Sequence, residues 1–88
     1  MPSILMIAKL NIRRVITYFD IENGTCLLRR TRLPGNLGFD LMSSGTVGQW
    51  KDGTNVGVRY TVECSEIECD EISIMTAGKL AKKFGGVL

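Results

Sequence analysis

Ile12-Arg13-Arg14-Val15-Ile16-Thr17-Tyr18-Phe19, Asp20-Ile21-Glu22-Asn23-Gly24 and Thr25-Cys26-Leu27-Leu28-Arg29-Arg30-Thr31-Arg32-Leu33 are three consecutive stretches whose reading decides the fold. The first and third are rich in β-branched, aromatic and aliphatic residues and predict two strands. Between them, Asn23-Gly24 signals a hairpin, because both central positions of a type I′ turn need positive φ. With that dipeptide at the tip, Glu22 pairs with Thr25, Tyr18 with Arg29, Ile16 with Thr31 and Val15 with Arg32. Side chains alternate along a strand, so this register puts Arg13, Arg30 and Arg32 on one face and Arg14 and Arg29 on the other.

Beyond the hairpin, Pro34-Gly35-Asn36 ends the second strand, since proline cannot donate to a ladder and glycine and asparagine accept turn geometry. Phe39 to Met42 predicts a short strand, Ser43-Ser44-Gly45 a break, and Thr46 to Trp50 another short strand. Asp52-Gly53 then signals a second hairpin. Val56, Val58, Tyr60 and Val62 alternate with Gly57, Arg59, Thr61 and Glu63, which predicts a strand with one apolar face. Residues 63–75 read as an acidic loop followed by a short strand. Thr76 is the expected N-cap of a helix whose inner face is Ala77, Leu80, Ala81 and Phe84, and Gly85-Gly86 ends it. Lys79, Lys82 and Lys83 fall on its outer side or last turn, where they complement the helix dipole.

The expected architecture is therefore α+β: a small antiparallel sheet of four or five strands with the C-terminal helix packed across one face, in one domain spanning residues 1–88. Its predicted core is Val15, Phe19, Leu28, Val56, Val58, Tyr60, Val62, Leu80 and Phe84. Ile4 to Leu10 would be a first strand or an arm exchanged with a second copy to make a homodimer. The tail from Ala77 to Val87 resembles the first helix and turn of a helix-turn-helix motif over eleven residues. The recognition helix of such a motif would begin at Leu88, so the tail is expected to cap the sheet instead.

A hydrophobic fraction of 44% with 23% charged residues is ordinary globular composition. The stretch from Ile4 to Leu10 falls short of the roughly 20 apolar residues a membrane span needs, and its flanks lack the pattern of a secretory signal. No membrane association and a cytoplasmic location are expected. The odd set of Cys26, Cys64 and Cys69 suits a reducing compartment. Formal net charge is +2, unevenly spread: residues 1–60 carry eight Lys or Arg against four acids, 61–72 five acids and no base, and 73–88 three lysines.

The chain has no histidine. That removes the commonest general base, the Ser-His and Cys-His nucleophile pairs and the commonest metal ligand, so no enzyme activity is expected. Cys26, next to Leu28 on its strand, reads as a buried structural thiol. Cys64 and Cys69 amid acids could supply half a metal site, but structural zinc usually takes four ligands in closely spaced pairs, and neither metal nor cofactor is expected. The acidic run reads as a solvated surface, and no glycine pattern suits phosphate binding.

The arginines are the distinctive feature. Together with Tyr18 and Trp50 they are the residue types that dominate binding hot spots. The leading expectation is a non-enzymatic protein that binds another protein through Arg29, Arg30, Arg32, Tyr18 and Trp50, as an inhibitor or regulator of the kind viruses and mobile elements encode. The alternative is a nucleic-acid-binding protein whose arginine-rich hairpin, with Arg13, Arg14 and the helix lysines, contacts phosphates.

Overall fold

A computed structural model describes residues 14–62 and 68–88. Strands β1 (Val15–Ile21) and β2 (Cys26–Leu33) form the expected hairpin in the expected register, with Val15 opposite Arg32, Ile16 opposite Thr31 and Tyr18 opposite Arg29. The ladder closes at Ile21 opposite Cys26, so Glu22 and Thr25 belong to a four-residue turn rather than to a pair. Three residues take positive φ there, Glu22 and Asn23 at 54° and Gly24 at 84°. The Asp20 carboxylate holds the turn by accepting the Gly24 N–H at 2.6 Å, and Thr25 N–H donates to the Ile21 carbonyl at 3.2 Å. Widening a two-residue turn by one residue on each side preserves the register, which is why the pairing survives the different turn.

Pro34-Gly35 makes a tight connection with Gly35 at φ 74°, and β3 (Asn36–Ser43) follows. It runs longer than the expected Phe39–Met42 strand and pairs with the whole of β2, from Leu33 opposite Asn36 to Cys26 opposite Ser43. The expected strand over residues 46–50 does not form. A single 3₁₀ turn, Ser44–Thr46, is capped by Ser43, and β4 (Lys51–Asp52) then pairs for two residues with Asp40 and Leu41. Strand β5 (Cys69–Ile72) lies antiparallel to β1 on the other side, giving the order β4-β3-β2-β1-β5.

The largest departure follows β4. The alternating stretch from Val56 is not a strand: helix α1 (Thr54–Gly57) continues into a wider-wound turn, Val58–Val62, laid over the sheet. Asp52 starts it by accepting both the Thr54 hydroxyl at 2.7 Å and the Thr54 N–H at 3.2 Å, and these bonds hold the Asp52 carboxyl below its ordinary range. Another edge strand would have left Phe19, Leu28 and Phe39 facing water, whereas folded over the sheet the segment covers them with Val56 and Tyr60. Tertiary burial here overrides a local period-two pattern.

Helix α2 (Ile74–Lys83) covers the opposite face. Its N-cap is Ser73, whose hydroxyl accepts the Thr76 N–H at 3.1 Å, three residues before the expected cap. The inner face is as expected: Ala77, Ala81 and Phe84 are buried with Tyr18, Leu27 and Met42, and Leu80 packs against them. The three lysines are exposed, and Gly85 ends the helix at φ 89°. Two apolar layers thus flank one sheet. Of the predicted core, Phe19, Leu28 and Phe84 are buried and Val56, Tyr60 and Leu80 half-buried, whereas Val15 and Val58 are exposed. Val15 lies where neither cover reaches, and Val58 points outward once its segment winds instead of pleating. The Val62 side chain and the apolar segment from Ile4 to Leu10, with the homodimer expected through it, lie outside the described residues.

Gly57 fixes the spacing between α1 and the sheet, because a Cβ there would overlap the Phe39 ring. Gly57→Ala should therefore destabilise the chain by about 1–3 kcal/mol, lowering the melting temperature by roughly 5–15 °C, despite alanine's better helix propensity. Gly38→Ala, where a Cβ meets nothing within 4 Å, should change stability by no more than about 0.5 kcal/mol. Thermal melts of the two variants check both statements.

Candidate functional site

The sheet sorts the hairpin arginines onto two faces. On the α2 face, Arg29 donates through Nε and Nη2 to Asp40 Oδ2 across the β2–β3 ladder, at 3.2 and 3.0 Å. Its guanidinium also lies 4.1 Å from the centre of the Trp50 ring. Tyr18, opposite Arg29 on β1, is buried beneath α2 with 8% of its surface exposed. Three of the anchors expected from sequence, Tyr18, Arg29 and Trp50, are thus gathered on one face, where Tyr18 and Trp50 contribute to the core and Arg29 is held in an ion pair.

On the α1 face, Arg30 is half-buried with its guanidinium 5.1 Å from the Phe19 ring, and Arg32 is exposed two residues farther along β2. Arg14 is exposed immediately before β1. Arg13 lies outside the described residues. Strand β5 stops pairing at Tyr18 and β4 reaches only Asp40, so among the described residues the end of the sheet made by residues 14–17, 30–33 and 36–38 projects past its neighbours. Three apolar side chains stand open there: Val15 is 52%, Ile16 41% and Leu37 44% exposed. No acid occurs in these segments, so Arg14, Arg30 and Arg32 set the local charge. Ile16 and Leu37 were not expected from sequence, because the pattern that marks a strand does not show where its covers end.

The other end of the hairpin has the opposite character. Asp20 and Glu22 lie at the turn, Asp70 pairs across from Asp20, and Glu68 accepts the Glu22 N–H through its carbonyl at 2.7 Å. Between this turn and α1 a cleft of ≈310 Å³ opens on the α1 face, with Ile21, Leu41 and Val56 among its walls. The Tyr60 hydroxyl at its rim donates to Glu22 Oε2 at 2.8 Å, and the Arg59 guanidinium sits 5.3 Å from the Tyr60 ring. Arg59 was not singled out from sequence, since an alternating strand would have placed it on a plain wet face.

Cys26 faces this cleft. Burial above all, reinforced by the nearby charges of Asp20 and Glu22, pushes its thiol up from an ordinary 9.0 to about 11. Cys69 is half-buried across Ile21 from it, and Cys64, its expected partner in half a metal site, lies outside the described residues. Among the described residues no three His, Cys, Asp or Glu side chains converge as metal ligands, and no helix is long and apolar enough to cross a membrane. The chain matches no family model, no curated protein and no solved structure.

Removing Arg29 should be a stability change: Arg29→Ala loses the part-exposed ion pair and the stacking on Trp50 and costs about 1–2 kcal/mol, whereas Arg32→Ala stays within about 0.5 kcal/mol. Urea titrations followed by Trp50 fluorescence measure both. For Cys26, the raised thiol means about a hundredfold less thiolate at pH 8 than in the unfolded chain. In a Cys64→Ser/Cys69→Ser background, the folded protein should react with a thiol-specific disulfide reagent at least tenfold more slowly than the urea-unfolded chain. The same shift makes folding less favourable as pH rises: its contribution is complete below 9.0 and lost through about 11.

Proposed function

We propose that this chain is a non-enzymatic binding protein that acts by contact with another protein in the cytoplasm, as an inhibitor or regulator. Such a role is within reach of a short chain of the kind a virus or mobile element encodes. One observation carries the reading: at the projecting end of the sheet Val15 and Leu37 stand open beside Arg30 and Arg32 on the α1 face, with Ile16 exposed on the opposite face and Arg14 exposed just before β1. Apolar centres bordered by arginine are the composition that protein interfaces favour, and an exposed cluster of this kind is seldom retained without use. The absence of any acid in these segments selects a partner whose contact surface is apolar and negatively charged. Among the described residues no strand pairs with the outer side of β1 before Tyr18 or of β3 before Asp40, which also offers main-chain groups for an added strand.

The nucleic-acid reading draws on the same three arginines. The two rings expected to stack on bases are both engaged, Tyr18 being buried and Trp50 lying against Arg29. The protein reading is therefore preferred.

Both readings meet in one experiment. The tagged wild-type chain and an Arg14→Glu/Arg32→Glu variant are compared for retained proteins, with Lys79→Glu/Lys82→Glu on α2 as a charge control. Partners retained by the wild type and the control but lost by the arginine variant, at unchanged melting temperature, are the expected result. Retention indifferent to the arginines would overturn the site. Oligonucleotide binding measured by fluorescence polarisation, falling by roughly 0.9 log units per log unit of salt for each phosphate contacted, would replace the protein reading with the nucleic-acid one.

A further inference from the structure

The cleft on the α1 face is separate from the projecting end of the sheet and carries its own chemistry. Its volume of ≈310 Å³ lies at the lower end of the ~300–1,000 Å³ typical of small-molecule sites, which suits an occupant about as large as one amino acid. Ile21, Leu41 and Val56 give it an apolar wall. The rim is charged with both signs. Arg59 stands 5.3 Å from one side of the Tyr60 ring, and Glu22 accepts the hydroxyl of the same residue at 2.8 Å. A single tyrosine thus links a cation to a carboxylate. Among the described residues Arg59 has no carboxylate partner, the one ion pair there being Arg29 with Asp40.

These charges discriminate between ligand classes. A simple carboxylate entering the cleft would meet Arg59 favourably but also the negative field of Glu22 and Asp20, which reaches as far as the Cys26 thiol. A simple amine would have the reverse difficulty with Arg59. A molecule that carries both charges at one end and an apolar group at the other satisfies all three parts of the site. We propose that the cleft binds a free α-amino acid with a branched aliphatic side chain, its side chain against Ile21, Leu41 and Val56, its carboxylate at Arg59 and its ammonium at Glu22. This site does not depend on the protein-contact reading of the sheet end.

The test is a titration of the full chain, ¹⁵N-labelled, with L-leucine, with isopentylamine, which lacks the carboxylate, and with 4-methylpentanoate, which lacks the ammonium. Leucine should give saturable shifts at the amides of Ile21, Leu41, Val56 and Arg59, and each truncated analogue should bind at least about tenfold more weakly, as expected for loss of one charge-assisted contact. Arg59→Gln and Glu22→Gln should each weaken leucine by a similar factor; glutamine at position 22 retains an acceptor for the Tyr60 hydroxyl, so the loss reports charge rather than collapse of the rim. Spectra of the free variants that overlay on the wild type away from the substitution establish that the fold is kept. Three results would overturn the proposal: no saturable shift with leucine, equal binding of leucine and either analogue, or leucine affinity unchanged in both variants.

Discussion

Cys26, Leu27 and Leu28 are consecutive on β2 and all buried, Leu27 and Leu28 completely. Side chains on a strand alternate between faces, so three buried neighbours require cover on both sides of the sheet. The rest of the architecture answers that requirement. Leu27 lies with Met42 beneath Ala77, Ala81 and Phe84 of α2, while Cys26 and Leu28 lie with Phe19 and Phe39 beneath α1 and the turn that continues it. Truncating Leu27 or Leu28 would remove a fully enclosed side chain from the central strand, a class of change that costs about 2–5 kcal/mol.

Glycine makes the two covers fit closely. Gly57 lets α1 rest directly on the Phe39 ring, and Gly86 packs against the Gly48 backbone and Met42 where the chain leaves α2. Both covers lie toward the same end of the hairpin, and the strands outrun them at the other. This one offset produces two surfaces of opposite kind. At the covered end, acids gather around the turn and a cleft forms beside α1; at the uncovered end, Val15, Ile16 and Leu37 stand open among arginines.

The legible parts of the fold were those with local causes. Asn23-Gly24 marked the hairpin and set a register that holds even though the turn is two residues wider, and the spacing of Ala77, Leu80, Ala81 and Phe84 marked the inner face of α2. The segment from Val56 to Val62 was misread because Val56, Val58 and Tyr60 satisfy a strand pattern locally, while the force that winds them comes from the uncovered ring of Phe39 and side chain of Leu28, distant in sequence. The near-continuous apolar run at Cys26-Leu27-Leu28 was the available signal, since a strand buried on both faces loses its alternation. The candidate site was legible in composition but not in arrangement. Arg30 and Arg32 do project together on the α1 face, whereas Arg29 is spent on Asp40 and Trp50, and nothing in a single strand's pattern reveals a partner on the next strand.

The central claim is that residues 54–62 fold over the sheet, completing the core and shaping the cleft, rather than extending the sheet's edge. Backbone chemical shifts together with nuclear Overhauser contacts in solution test it most directly. The account predicts helical carbon shifts for Thr54 to Gly57 and contacts from the Gly57 Hα protons to the Phe39 ring. Extended shifts over Thr54 to Val62, with cross-strand contacts to a neighbouring strand and none to Phe39, would contradict it.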